Sequence, residues 1–263
     1  MKKTWKIYKT NEDKIGEMIK ELNISPLLAA ILVNRDITDL EKIKVFLDPT
    51  RNDFYDPFLL QDMDKAVERI LRAIDNKEKI MIYGDYDADG ITSVSVLKKF
   101  LEELKIETHT HIPNRLEDGY GLNKDAIIEI AKEGFKLIIT VDCGISGIEE
   151  IEFAKTMGIE TIITDHHEPG EIIPDALAVI NPKIKTSNYP FKELAGVGVV
   201  FKFIQAVSKT LNLDEKEYLK YLDLVCIGTI ADIVPLVDEN RVIVKLRIKI
   251  NRSNTKYRIK ISY

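Results

Sequence analysis

The sequence has little of what marks a secreted, membrane-spanning or disulfide-stapled protein. Its 263 residues include two cysteines, Cys143 and Cys226. Both sit in apolar or glycine-rich stretches, which excludes a disulfide framework and makes a reducing cytoplasm the expected compartment. No apolar run approaches the roughly 20 residues that a helix needs to cross a bilayer. The basic start Met1-Lys2-Lys3-Thr4-Trp5-Lys6 has no apolar stretch behind it and does not read as a secretory signal. No internal repeat or low-complexity segment stands out.

Positive charge is also scarce over most of the chain. Residues 1–240 hold 30 Lys and Arg against 43 Asp and Glu, a net of −13, whereas residues 241–263 hold eight Lys and Arg and no acid, which brings the total to −5. A body this acidic does not attract nucleic acid by bulk electrostatics. Any phosphate partner must be met at a local site where metal ions offset the carboxylates.

What is there is an ordinary soluble composition, 45% hydrophobic and 31% charged, long enough to bury one large core with a small satellite. Residues 11–47 carry helical spacing, first in Ile15, Met18, Ile19 and Leu22, then in Leu27, Leu28, Ile31 and Leu32 after Ser25-Pro26. From residue 79 short β-branched runs alternate with amphipathic stretches. The runs are 80–83, 137–141 and 161–164, with weaker ones at 107–112 and 178–180, and helices are expected near 91–104, 124–133 and 147–157. Two further helices are expected over 194–236. Near-continuously apolar strands alternating with helices predict an α/β fold, a mainly parallel sheet flanked by helices and preceded by a small helical lead. Ligands of such sheets sit beyond the carboxyl ends of the strands.

Three apolar runs end directly in acidic or histidine clusters. The first enters Gly84-Asp85-Tyr86-Asp87-Ala88-Asp89-Gly90, the second Asp142-Cys143-Gly144 and the third Asp165-His166-His167. An EF-hand calcium loop would open in the same way as the first cluster, but its twelfth position needs a bidentate Glu and here holds Val96. Asp residues capping helices would explain any one cluster. Three clusters on one sheet edge favour cations, because repelling carboxylates packed together cost stability unless neutralised. Mixed Asp and His donors suit Mn2+, Mg2+ or Fe2+. Adjacent His166 and His167 on an extended backbone would point to opposite sides, one to a metal and one to substrate. Asp232, among apolar neighbours in Gly228-Thr229-Ile230-Ala231-Asp232-Ile233-Val234-Pro235-Leu236, is a further ligand candidate, and Asp223 reads as structural.

These segments, together with Ile112-Pro113-Asn114-Arg115 and Gly119-Tyr120-Gly121-Leu122-Asn123, resemble in order and spacing the motifs of the RecJ family within the DHH phosphoesterase superfamily. RecJ proteins are bacterial single-strand-specific 5′ to 3′ exonucleases. The likeness runs from about Trp5 to Leu236. It implies two divalent ions, Mn2+ or Mg2+, with Asp87 and Asp89 on different ions, Asp142 bridging, and His166 and Asp232 completing one shell. Relatives often have a histidine four residues before the first ligand Asp. Tyr83 stands there, and Asp85 is the candidate replacement. The resemblance makes Asp142, Asp87, Asp89 and His167 the catalytic set. It makes Arg115, His167, Gly196 and Gly198 the substrate contacts, the two glycines by opening a helix whose amides face the strand. Implied partners are single-stranded DNA, a single-strand-binding protein and a RecQ-type helicase, in DNA repair and recombination.

The expected organisation is a helical lead over 1–75, a phosphoesterase core over 76–240 and a basic tail over 241–263. The likeness decays after about Leu246. A frameshifted or truncated reading frame, lacking a second lobe and an oligonucleotide-binding domain, is the expectation there, with impaired processive activity; a tail that binds phosphate backbones is the alternative. Two other functions stay open: a phosphoesterase of the same superfamily acting on oligoribonucleotides, cyclic dinucleotides or pyrophosphate, and a non-catalytic scaffold. The intact Asp and His residues argue against the scaffold.

Overall fold

β1 (Ile80–Gly84), β3 (Leu137–Val141), β4 (Glu160–Thr164) and β5 (Ala178–Ile180) are built from residues that water would penalise on either side, and β2 (Thr108–His111) closes one edge. The computed structural model describes residues 11–113 and 121–253. Among them the five strands form one sheet in the order β2-β1-β3-β4-β5, with every neighbouring pair parallel.

Both faces are covered, as the unbroken apolar runs require. Ile80 and Ile82 of β1, Leu137, Ile139 and Val141 of β3, and Ile162 of β4 turn to the face packed by α4 (Met63–Asn76), α5 (Ala88–Glu103) and α8 (Gly196–Thr210). Met81, Tyr83 and Ile138 turn to the face packed by α6 (Lys124–Lys132) and α7 (Ile148–Thr156). In α4 the buried positions Met63, Ala66, Val67, Ile70 and Ala73 follow the spacing that puts apolar groups on one helical stripe. Burying each large aliphatic side chain is worth about 1.5–3 kcal/mol.

The described residues divide between Asp53 and Phe54 into two compact units. The first holds α1 (Glu12–Leu22), α2 (Pro26–Val33) and α3 (Leu40–Leu47) around Met18, Ala29, Leu32 and Ile43. Side chains of Asn11, Ser25 and Asp39 cap the three helices, the local chemistry that fixes where each begins. The second unit contains α4 and the sheet, and continues through α9 (Lys216–Leu219), α10 (Leu222–Ala231) and α11 (Asp238–Ser253). Residues 238–253 are thus helical, and Val242 and Ile243 are buried.

Two features of the sheet decide where a ligand can bind. The chain order reverses between β1 and β3, whose neighbours run away on opposite sides, and such a switch point opens a crevice at the carboxyl ends of the strands. The registers pair Gly84 with Val141 and Val141 with Thr164. The residues that follow, Asp85, Asp142 and Asp165, therefore leave the sheet at one level.

Candidate metal centre

Asp142 takes a left-handed backbone conformation, φ 59, as the chain leaves β3, and its amide donates to Thr164 O at 2.9 Å. That conformation costs an ordinary residue about 1–2 kcal/mol, and Asp tolerates it better than most. Asp87 is the N-cap of α5, its Oδ1 accepting from Gly90 N at 2.9 Å. The helix starts at Ala88, three residues earlier than the apolar pattern indicated, because the cap draws Asp89 and Gly90 into the first turn. Asp89 is consequently buried, and the opening of α8 holds it: Gly196 N donates to its Oδ2 at 2.6 Å and Val197 N to its Oδ1 at 2.9 Å. The sequence suggested that these amides face nucleic acid; two of them face an internal carboxylate. Gly198 is buried against the Leu194 side chain.

Ligand atoms converge in three groupings, each within 4.8 Å: Asp85, Asp87 and Asp142; Asp89, His166 and Asp232; and Asp142, His166 and His167. His166 Nε2 lies 3.2 Å from Asp142 Oδ1, 3.6 Å from Asp232 Oδ2 and 3.9 Å from Asp89 Oδ2. Asp142 Oδ1 and both ring nitrogens of His166 are nevertheless buried without a hydrogen-bond partner. Of these, His166 Nε2 and Asp142 Oδ1 lie beside the Asp89 and Asp232 carboxylates, and an oxygen-rich set with one imidazole nitrogen fits a divalent cation.

Burial and mutual repulsion load the cluster electrostatically. Burial first, then the charges of Asp165 and Asp87, push the Asp142 carboxyl up to about 9. Asp89 rises to about 7, through burial and then the charge of Asp142. Asp85 and Asp232 are also raised, chiefly by burial. The Cys143 thiol, buried beside these carboxylates, is raised too and stays protonated.

The two histidines do not diverge as an extended strand would make them. β4 ends at Thr164, so the alternation rule lapses, and their rings lie 4.5 Å apart. His166 is nearly closed off, while His167 keeps 44% of its side-chain surface accessible. Asp165, which sequence reasoning left without a role, organises the pair. Its Oδ1 accepts from His167 Nδ1 at 2.7 Å and from the amides of His166 and His167, and its Oδ2 accepts from Ile145 N. Burial works to raise the Asp165 carboxyl, but these bonds, led by that to His167, outweigh it and the carboxyl is lowered. The same bond raises His167 to about 9 against the effect of burial. The signal for this role was an Asp two residues before a His at a strand end.

Tyr83 turns to the α6 face, where its hydroxyl donates to Gly121 O at 3.1 Å and accepts from Asn123 Nδ2 at 3.3 Å. It anchors the segment leading into α6, and Asp85 is the residue that groups with Asp87 and Asp142. Asp223 pairs with Arg247 at 3.6 Å, in keeping with a structural role. Arg115 lies outside the described residues.

Glycines make the close approach possible. A Cβ on Gly196 would run into Asp142 Oδ1, and one on Gly228 would lie 2.9 Å from Asp89 Oδ1. Gly196→Ala is expected to displace the Asp142 carboxylate and weaken Mn2+ binding by about 10–100-fold, the usual effect of disturbing the support of a metal ligand. Calorimetric titration checks this, and unchanged binding would mean that Asp142 can step aside.

A family model described as the DHH family, N-terminal domain, matches residues 79–229. The single-stranded-DNA-specific exonuclease RecJ of Bacillus subtilis (strain 168) is 47% identical over 265 aligned residues, covering 99% of this chain and 33% of that protein. Among solved structures, RecJ from Thermus thermophilus in complex with Mn2+ matches with a TM-score of 0.74 and 30% identity, over 89% of this chain and 33% of that one. An exonuclease RecJ bound to manganese matches with a TM-score of 0.65 and 38% identity, over 71% and 47%. The chain spans about a third of the length of the Bacillus subtilis relative. No described helix is long and apolar enough to cross a membrane. With the family match running from the start of β1 into α10 and taking in the clusters at the ends of β1, β3 and β4, the chain belongs to the DHH family.

Proposed function

We propose that this chain hydrolyses phosphodiester bonds of single-stranded DNA from the 5′ end, using two divalent ions, Mn2+ or Mg2+. The observation that carries the reading is that two ligand groupings lie side by side, Asp142 belonging to the first and approaching His166 of the second. Asp85 and Asp87 lie on one side, and Asp89, His166 and Asp232 on the other, with His166 3.2 Å from Asp142. Each grouping would hold one ion, Asp142 serving the first and lying beside His166 of the second. Bound together, such ions supply a hydroxide near neutral pH and offset charge on the attacked phosphate and the leaving oxygen.

The protein's own share is placement and proton supply. Asp87 and Asp89 are fixed by the two helix openings they bond, so their carboxylates need little reorganisation when a strand arrives. His167 is assigned to the substrate. Asp165 grips its Nδ1 and raises the imidazole above its ordinary value, so that Nε2 is the ring nitrogen assigned to a phosphate or a leaving oxygen. Arg115 is assigned to a substrate phosphate, for which its planar fork is suited. Gly196 and Gly198 are assigned to bringing the α8 opening close to centre and strand. The relatives' names support the choice of substrate. By the same resemblance the reading extends to DNA repair and recombination in the cytoplasm, alongside a single-strand-binding protein and a RecQ-type helicase.

The test is Mn2+-dependent digestion of 5′-labelled single-stranded DNA by the wild type and Asp142→Ala, with dinucleotides as a second substrate. The wild type should release the label from the strand, and the variant should be slower by about 10²–10³-fold or more, the scale of losing a preorganised electrostatic group. Equal release by both proteins would remove the catalytic assignment. Cleavage of dinucleotides alone would move the reading to small substrates.

A further inference from the structure

The first turn of α11 is polar where a helix seated on a core should be apolar. Glu239 and Asn240 are fully buried, with Arg241 separating them from the buried Val242 and Ile243. The Glu239 carboxylate accepts from Lys202 Nζ of α8 at 2.9 Å, from Tyr55 N at 3.1 Å and from the Tyr189 hydroxyl. Lys202, itself buried, also donates to Tyr55 O at 2.7 Å. A buried ion pair stabilises no better than a well-packed apolar filling, and its best-attested use is to fix register. Here it fixes how α11 sits against α8.

That register determines where Asn240 falls. Its Nδ2 donates to Glu193 O at 2.5 Å and to Pro235 O at 3.0 Å. Glu193 precedes the α8 opening, whose Gly196 and Val197 amides hold Asp89. Pro235 follows the turn that leaves Asp232 at the end of α10. One buried amide therefore ties together the two backbone segments that deliver Asp89 and Asp232, the carboxylates that group with His166.

We infer that Asn240, seated by the Glu239 and Lys202 pair, is a positioning residue for the cation held by Asp89, His166 and Asp232. The inference rests on the metal-centre reading above, and it predicts a selective effect: the support of one ion is loosened, while Asp85 and Asp87, on the other side of Asp142, keep theirs.

The test is Mn2+ titration of the full chain followed by electron paramagnetic resonance, on wild type, Asn240→Leu, Asn240→Ala and Val242→Ala. Asn240→Leu keeps the volume and removes both donors, Asn240→Ala cannot clash, and Val242→Ala loosens the same helix without touching a hydrogen bond. The wild type should take up two ions and show the signal of a spin-coupled pair. Either Asn240 variant should bind one ion normally and the second about 10–100-fold more weakly, leaving an isolated six-line signal at one equivalent, the scale seen when the supports of a metal ligand are cut. Val242→Ala should keep the pair. Two ions bound as tightly by the Asn240 variants as by wild type would overturn the inference. So would equal loss in Val242→Ala, or failure of both Asn240 variants to fold, which would make Asn240 a general structural residue. A wild type that binds no pair would reject the metal-centre reading instead.

Discussion

Replacing Asp142 with Asn is expected to make the metal-free protein more stable while removing metal-dependent activity. Asp142 is almost completely buried, and its carboxyl is pushed up to about 9 by that burial and by neighbouring acids. At pH 7 the folded protein must hold a proton that the unfolded chain, with a carboxyl near 4, would release. By linkage, a carboxyl raised on folding leaves stability untouched below its unfolded value and erodes it steadily as pH climbs to the folded value, here from about 4 to about 9. Asn fills the same space without that demand. The gain should be on the order of 4 kcal/mol at pH 7, or roughly 10 degrees in the melting temperature of a chain this size. Thermal denaturation in a chelator measures it, and a metal-free variant that melts below wild type would contradict the electrostatic picture. The same variant should fall by about 10²–10³-fold or more in Mn2+-dependent hydrolysis, because the carboxylate that groups with Asp85 and Asp87 and approaches His166 of the other grouping is gone.

Stabilisation by Mn2+ should grow with pH. In the metal-free protein Asp89 sits at about 7 and Asp142 at about 9, whereas a cation needs both ionised. Binding therefore expels protons, and apparent affinity rises with pH until the carboxylates have already lost them. Between pH 6 and pH 8 Asp142 releases close to one proton throughout and Asp89 contributes below about 7, so affinity should rise by about 10²-fold or more. At fixed excess metal a hundredfold tighter site adds about 2.7 kcal/mol. The two effects reinforce each other in a melting experiment, since rising pH weakens the metal-free fold and strengthens the metal-bound one. A Mn2+-induced shift in melting temperature that stays flat or shrinks from pH 6 to pH 8 would contradict this.

The elements that position the centre were legible because their residues have few alternatives. A strand buried on both faces must be apolar throughout, so the runs 80–83, 137–141 and 161–164 mark β1, β3 and β4 to within one residue at either end. The acids directly behind those runs could not be anywhere but at the strand tips, which puts Asp85, Asp142 and Asp165 at one edge from the sequence alone. What escaped depends on contacts between distant segments. Nothing local to Asp165 says that its carboxylate takes four donors from Ile145, His166 and His167. Nothing local to Gly196 says that its amide ends on Asp89, more than a hundred residues away in sequence. The closeness of the two histidine rings also escapes, because the alternation of a strand stops at Thr164, where β4 ends. The first turn of α11 was hidden by its charge, since Asp238, Glu239 and Asn240 look like surface and two of them are fully buried.

The claim on which everything else rests is that the acids and His166 converge on a pair of cations. Anomalous diffraction at the manganese edge from crystals grown with Mn2+ tests it directly. The expected result is two peaks roughly 3.5–4 Å apart, between the carboxyl ends of β1, β3 and β4, one beside Asp85 and Asp87 and the other beside Asp89, His166 and Asp232, with Asp142 touching both. A single peak, or none within reach of Asp142, would contradict it.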